Sequence, residues 1–228
     1  MYNPNTAVQD IPDLLRIESF SRDQMGDLCM ESTHAVYSHD AIYGPYCTIQ
    51  EYIDCPPDKV FEYLADPRSL EEWTWSTRDL EPTDDPKLLV GWDRLADDTR
   101  LYCRTYSNAI TRTVDYHCAW DQGDDLWMIY LMRVVPAELV LGKPGSVVIW
   151  SNCHHPYYDN NPYPELAPPD REVWVGDLWP FFYAGHVVEM DNLKKILEQR
   201  HARRENIRPW IVSDDAGAVL GRVAASEW

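Results

Sequence analysis

The sequence predicts a protein of the α+β class, in which a run of antiparallel strands precedes one long helix. Between residues 76 and 153, short segments that alternate apolar and polar residues are separated by turn signals such as Asp84-Asp85-Pro86 and Lys143-Pro144-Gly145. Residues 177–204 then predict a helix, whose basic residues gather toward its C-terminal end. Because the strands follow one another without intervening helices, they favour an antiparallel meander.

The segment 47–75 predicts a strand followed by two short helices. Cys47, Ile49 and Ile53 share one phase of a period-2 pattern, as in a half-buried strand. Pro56-Pro57 ends this strand because proline lacks the N–H that a ladder needs, and it also suits the first turn of a helix. That helix ends at Asp66-Pro67.

This opening resembles the START-like superfamily, also called SRPBCC or helix-grip, and particularly its polyketide cyclase/dehydratase-type members. The matching positions are Cys55-Pro56-Pro57, the segment Val60 to Pro67 (VFEYLADP) and Trp73. Residues 191–198 resemble the family's C-terminal helix. Between the N-terminal motif and this helix, only the succession of predicted strands matches the family. The resemblance implies a curved antiparallel sheet wrapped around a long C-terminal helix, with a ligand held between them.

The resemblance divides the chain into three parts. A helical extension at residues 1–46 precedes a START-like ligand-binding domain at 47–204, and a second extension follows at 205–228. Ser19 or Ser21 is suited to cap a helix in the first extension. The second extension predicts a hairpin. The extensions either form a homodimer interface or close the cavity.

Composition narrows the range of partners. The formal net charge of −18 and the pI of about 4.6 argue against nucleic acids and anionic membrane surfaces, both of which require a basic protein. No apolar run reaches transmembrane length, and the N-terminus lacks a signal pattern, so we expect a cytoplasmic protein. Six scattered cysteines without a CxxC pair favour free thiols. The sequence also lacks GxGxxG, P-loop, HExxH and GxSxG motifs, which argues against a nucleotide cofactor or a serine hydrolase.

Two ionisable residues interrupt the apolar face of the predicted C-terminal helix. The spacing of Phe182, His186, Glu189, Leu193 and Ile196 places them on one face. Burying the two polar groups unpaired would cost roughly 1–3 kcal/mol or more each. They therefore pair with each other at the helix–sheet seam, meet partners on the sheet, or form a catalytic proton-transfer pair facing a ligand.

A metal site is an alternative. His154 and His155 follow a predicted strand, and only one of two successive strand residues faces inward. One of them, with His186 and Glu189, would give the two-His-one-carboxylate set that non-haem iron uses. The catalytic domain of Rieske-type oxygenases has such a site in a helix-grip fold, but this chain lacks the Rieske ligands and the family's helical histidine motif. We therefore expect no cofactor, with a single transition metal such as Fe as the alternative.

Other side chains are candidates for ligand contacts. Glu51 and Arg112 occupy inward phases of predicted strands, where they would neutralise a ligand charge, pair with each other, or face water at a strand end. Ten tryptophans and fourteen tyrosines suit a cavity for a partly polar, ring-bearing ligand. The aromatic candidates are Trp73, Trp75, Tyr102, Tyr106, Trp150 and Phe182.

The resemblance implies cyclase/dehydratase-type proton transfer on an aromatic or polyketide-like small molecule. In this interpretation His186, tuned by Glu189, shuttles a proton, and Arg112 stabilises an enolate. A non-catalytic carrier of hydrophobic ligands and a metal-dependent oxygenase or lyase are the alternatives.

Overall fold

A computed structural model describes residues 6–19, 21–36, 45–95, 99–121, 125–167 and 174–209. Within these ranges the chain forms seven strands, namely β1 (Tyr46–Ile53), β2 (Thr77–Pro82), β3 (Leu88–Asp93), β4 (Thr99–Asn108), β5 (Thr113–Trp120), β6 (Met128–Pro136) and β7 (Ser146–Cys153). The α-helices are α1 (Arg22–Val36), α2 (Pro57–Leu64), α3 (Leu70–Trp73), α4 (Ala137–Leu141) and α5 (Trp179–Ala202).

The seven strands form one antiparallel sheet in the order β1-β7-β6-β5-β4-β3-β2. The sheet is curved and does not close, so β1 and β2 are its edges. Its inner face carries the buried phase of each strand, as Val114, Tyr116 and Cys118 illustrate on β5. Helix α5 packs along this face beside β1. The predicted helix-grip fold is therefore confirmed.

The C-terminal half of α5 is held by apolar packing and by one buried ion pair. Leu193, Ile196 and Leu197 are fully buried. The Arg200 guanidinium donates to both carboxylate oxygens of Glu72, at 2.8 and 3.0 Å. Removing one partner of such a pair would leave an uncompensated buried charge, so this contact fixes the end of the helix against α3.

Helix α1 of the N-terminal extension packs against α5. Ser21 and Gln24 form a capping box, in which each side chain accepts a hydrogen bond from the other residue's backbone N–H. The prediction that Ser21 caps this helix is confirmed. Met25 and Cys29 are fully buried in a cluster that includes Trp75 and Ala184.

Two strand predictions are corrected. The alternation that begins at Ile110 and continues through Val114 and Tyr116 predicts a strand from Ile110, but β5 begins at Thr113, because Arg112 adopts a left-handed turn conformation (φ = 50°) and Ile110 is 89% exposed. The segment Leu126 to Val135 is apolar in both phases, which predicts a strand covered on both faces. This prediction is wrong, since Leu131 on the outer face of β6 is 43% exposed. Strand β2 and helix α4 were not predicted from the sequence.

The proline-rich segment after β7 forms two single 3₁₀ turns, at Pro156–Tyr158 and Pro164–Leu166. Tyr158 is buried, and a Cβ on Gly176 would lie only 1.3 Å from the Tyr158 carbonyl oxygen. Only glycine therefore permits this close approach. The His and Tyr content of the proline-rich residues 154–170 predicts an ordered lid, and the buried Tyr158 supports an ordered segment over the described part, residues 154–167. The last part of the predicted C-terminal hairpin, residues 210–228, lies outside the described residues.

None of the described helices combines the length and apolarity required to cross a bilayer. The six cysteines are free thiols, and all except Cys153 are buried.

We predict that Met25→Ala lowers the free energy of unfolding by roughly 2–4 kcal/mol, because it opens a cavity between α1 and α5. Urea unfolding measures the change. Asp27→Ala, on the exposed side of the same helix, is the control and should change stability by less than about 0.5 kcal/mol. Equal effects of the two substitutions would show that α1 does not contribute to the stability of the core.

Candidate functional site

A cavity of about 110 Å³ lies between the inner face of the sheet and the N-terminal half of α5. Its walls are mainly aromatic, and its ionisable lining groups are His186, Glu189 and Asp93, together with the tyrosine and cysteine side chains of β5 and β6. No lysine or arginine among the described residues lines it. The aromatic lining residues are Trp73, Trp75, Tyr116, Trp120, Tyr130, Trp150, Phe181 and Phe182.

His186 is buried against the wall formed by β1 and β7. Its ring stacks on Trp150, with 4.1 Å between ring centroids, and its Nδ1 lies 3.5 Å from Cys47 Sγ. Burial lowers the pKa of His186 to about 3 because no described anion compensates the charged ring. The imidazole is therefore neutral near pH 7, so it does not meet the requirement for a proton shuttle at that pH.

Glu189 lies one turn further along α5, and its pKa is shifted in the opposite direction. Its Oε1 accepts a hydrogen bond from the backbone N–H of Trp75 at 3.1 Å, the only donor that reaches this carboxyl among the described residues. Burial raises the pKa of Glu189 to about 8, and Asp93 adds to the effect while Arg78 opposes it. The two helix residues do not hydrogen-bond each other. Glu189, rather than His186, is the group that changes charge near neutral pH.

Asp93, at the end of β3, is a cavity residue that the sequence interpretation missed. Its Oδ1 accepts from Leu95 N–H at 3.0 Å, and the nearby Ser76 and Trp120 side chains favour its ionised form. Burial nevertheless raises the pKa of Asp93. The alternation of Leu89, Gly91 and Asp93 places all three on the inner face and is the signal that could have identified it.

The structure brings together only some of the predicted ligand residues. Trp73, Trp75, Trp150 and Phe182 line the cavity with His186 and Glu189. On β4, Leu101 and Cys103 are the buried, inward-facing residues, so Tyr102 and Tyr106 belong to the opposite phase. Tyr106 is exposed and packs beside His117 on the outer face. The predicted cavity positions of these two tyrosines are therefore wrong.

Glu51 and Arg112 also lie outside the cavity, and they do not pair with each other. Glu51 accepts a hydrogen bond from Lys194 Nζ on α5 at 2.6 Å. Arg112, in the turn between β4 and β5, donates from Nε to Asp58 on α2 at 2.7 Å. The inward strand position predicted for Arg112 is wrong because the strand begins after it, and this arginine does not reach an enolate in the cavity.

The candidate metal ligands are not brought together. His154 Nε2 lies 3.2 Å from an Asp159 carboxylate oxygen, and His155 Nδ1 accepts from Tyr157 N–H, so both histidines belong to the start of the proline-rich segment. The described residues contain no group of three or more His, Cys, Asp or Glu side chains that could hold a metal ion. The predicted two-His-one-carboxylate set does not form in this structure.

Solved structures with a similar arrangement include an aromatase/cyclase from Streptomyces sp. R1128, with 11% identity, 68% of this chain and 94% of that chain covered, and a TM-score of 0.48. A START superfamily protein from Mycobacterium smegmatis has 13% identity, coverages of 71% and 99%, and a TM-score of 0.43. The protein TTHA0849 from Thermus thermophilus has 15% identity, coverages of 70% and 99%, and a TM-score of 0.46. At these values the likeness does not extend to a ligand or a reaction.

No protein-family model matches the sequence, and no curated protein shows significant similarity to it.

We predict that Glu189→Gln stabilises the protein at alkaline pH. Below pH 4.5 the carboxyl is protonated in both folded and unfolded states, whereas above about pH 8 the folded state bears the full cost of a buried charge. The free energy of unfolding of the wild type should therefore fall as pH rises between these values, by on the order of 3–5 kcal/mol for this group. Urea unfolding from pH 4.5 to pH 9 measures the difference between variant and wild type.

The control for this experiment is Asp191→Asn, which removes one charge from the solvent-exposed side of the same helix. Its stability relative to the wild type should depend little on pH. A constant difference between Glu189→Gln and the wild type across the range would show that Glu189 is not buried in its charged form.

We predict that the His186 ring does not titrate between pH 8 and pH 5, because its pKa lies near 3. The ring C–H signals in NMR spectra, assigned with His186→Gln, measure this directly. A midpoint near pH 6.5 would contradict the buried, neutral state.

Proposed function

We propose that the protein is an enzyme that binds a small, single-ring molecule in this cavity and transfers a proton through Glu189, as in cyclisation or dehydration. The observation that supports the proposal is the position of the Glu189 carboxyl. It lies among aromatic rings, one oxygen is oriented by the Trp75 N–H, and the other oxygen has no hydrogen-bond donor among the described residues. A pKa near 8 keeps both protonation states accessible close to neutral pH.

The size of the cavity favours a ligand with one ring. An engineered protein cavity of about 150 Å³ holds benzene, and the space here, about 110 Å³, belongs to the same range. A fused-ring polyketide would need a wider cavity. Of the two predicted kinds of substrate, the cavity therefore favours an aromatic molecule over an extended polyketide chain.

The residues present are suited to forming an enolate. In its ionised form Glu189 would remove a proton from the carbon next to a substrate carbonyl, and the electrons of that C–H bond would move onto the carbonyl oxygen. A carboxylate with a pKa near 8 is a stronger base than an ordinary one. The buried Trp150 Nε1–H has no hydrogen-bond partner among the described residues, so it is a candidate donor to that oxygen.

Enolate formation is the first step common to carbon–carbon cyclisation and to dehydration of a β-hydroxy ketone. In a dehydration the enolate would re-form the carbonyl and expel the β-hydroxyl group, and the proton held by Glu189 would convert the departing hydroxide to water. The atoms balance without an oxidant, a reductant or a metal.

Acetophenone, a single-ring ketone, provides the test. In D₂O the protein should accelerate exchange of the methyl protons, which NMR follows, and the rate should rise with pH through about 8 as Glu189 ionises. Glu189→Gln should slow the exchange by roughly 10²-fold or more, whereas Asp191→Asn should leave it unchanged. Equal rates in wild type and Glu189→Gln would remove Glu189 from the mechanism.

Binding is measured separately by quenching of tryptophan fluorescence, comparing acetophenone with its two-ring analogue 2-acetylnaphthalene. Acetophenone should bind more tightly. Binding of acetophenone without exchange would overturn the catalytic proposal and favour a carrier, and preference for the two-ring ketone would overturn the single-ring assignment.

A further inference from the structure

We propose that the cavity selects an organic ammonium ion, a protonated amine carried by a single ring, through the Glu189 carboxyl and the surrounding aromatic faces. The inference deepens the proposed function, since it uses the same cavity and names the charge of the ligand. It rests on the charges, the open acceptor and the aromatic rings of the lining.

The described lining of the cavity offers no positive charge to neutralise an anionic ligand. Among the described lining residues there are two carboxyls, Glu189 and Asp93, and no basic side chain other than the neutral His186. The nearby Arg78 does not line the cavity, because its guanidinium is bound by the Glu18 carboxylate and by the backbone carbonyl oxygens of Thr74, Trp75 and Thr77. A carboxylate or phosphate ligand would therefore enter an uncompensated negative field.

The open oxygen of the Glu189 carboxyl matches an ammonium group. It has no hydrogen-bond partner among the described residues, and a carboxylate oxygen is an acceptor. Asp93, in contrast, already accepts the Leu95 N–H at 3.0 Å and lies beside the Ser76 and Trp120 side chains. A primary ammonium donates N–H bonds and also carries the charge that offsets the carboxylate, whereas an alcohol of the same size is neutral.

Aromatic side chains line the cavity that holds the Glu189 carboxyl and favour a positive charge. They include Trp73, Trp75, Trp120 and Phe182, whereas one face of Trp150 is covered by the His186 ring, with 4.1 Å between ring centroids. A cation over a tryptophan or tyrosine face gains roughly 2 kcal/mol or more when desolvated. Aromatic rings alone would accept any apolar ligand, but their combination with an unneutralised carboxyl selects a cation. The net charge of −18 further raises the local concentration of cations.

An ammonium ligand also affects the protonation of Glu189. A positive charge beside the carboxyl favours its ionised form, so binding of an ammonium ion lowers the pKa of Glu189. Binding below pH 8 should therefore release a proton from Glu189. The titratable and charged groups that act on this carboxyl from the packed elements are Cys29 on α1, Cys47 on β1, Arg78 on β2, Asp93 on β3 and Tyr130 on β6, with His186 on its own helix.

The test compares 2-phenylethylamine with 2-phenylethanol, which have nearly the same shape and differ in charge. By tryptophan fluorescence at pH 7, the amine should bind at least tenfold more tightly to the wild type. Calorimetry in two buffers of different ionisation enthalpy should show release of close to one proton per amine bound. Glu189→Gln should abolish both the preference and the proton release, and Asp191→Asn should retain both.

Equal or tighter binding of the alcohol, or a preference that survives in Glu189→Gln, would overturn the ammonium proposal. So would binding of neither compound to the wild type. The exchange of acetophenone protons is independent of these results, because acetophenone is neutral. Exchange by the wild type without a preference for the amine would therefore reject the ammonium site and leave the proposed proton transfer standing.

Discussion

The packing of α5 along the inner face of the sheet sets the position of each group in the cavity. Its C-terminal half is a solid interface, with Leu193, Ile196 and Leu197 fully buried and Arg200 bound to Glu72. Its N-terminal half lies against aromatic side chains that leave a space. Because a helix is stiff over this length, the tight contact at one end determines how far the side chains of the other end stand from the sheet.

This arrangement determines the chemistry of the two ionisable residues on the helix face. Removal from water disfavours the charged form of each, so burial lowers the pKa of His186 and raises that of Glu189. Both groups are therefore neutral in most molecules at pH 7. The two groups differ in how readily they become charged near pH 7. A carboxyl with a pKa near 8 is partly ionised there, whereas an imidazole with a pKa near 3 is not protonated.

The sequence predicted those features that depend on one helix or one local motif. The spacing of His186 and Glu189 places both on the buried face of α5, and the segment from Cys55 to Trp73 indicated the fold. The errors arose in the strands, because a shift of one residue moves a side chain to the other face. Tyr102 and Tyr106 occupy the outer phase for this reason, and Arg112 lies in a turn. Asp93 was missed because its inward position depends on the pairing of β3 with β4.

The pKa values could not be derived from the sequence, because they depend on what surrounds each group in three dimensions. Glu189 illustrates this dependence, since the N–H that orients it belongs to Trp75, 114 residues away in the chain. The Trp75 carbonyl in turn accepts the Ile17 N–H at 2.9 Å, and Met25 and Cys29 of α1 belong to the same cluster as the Trp75 ring. The N-terminal extension is therefore attached to the backbone that holds the carboxyl. Its contacts with Trp75 help to position the Glu189 carboxyl, although none of the extension's described residues lines the cavity.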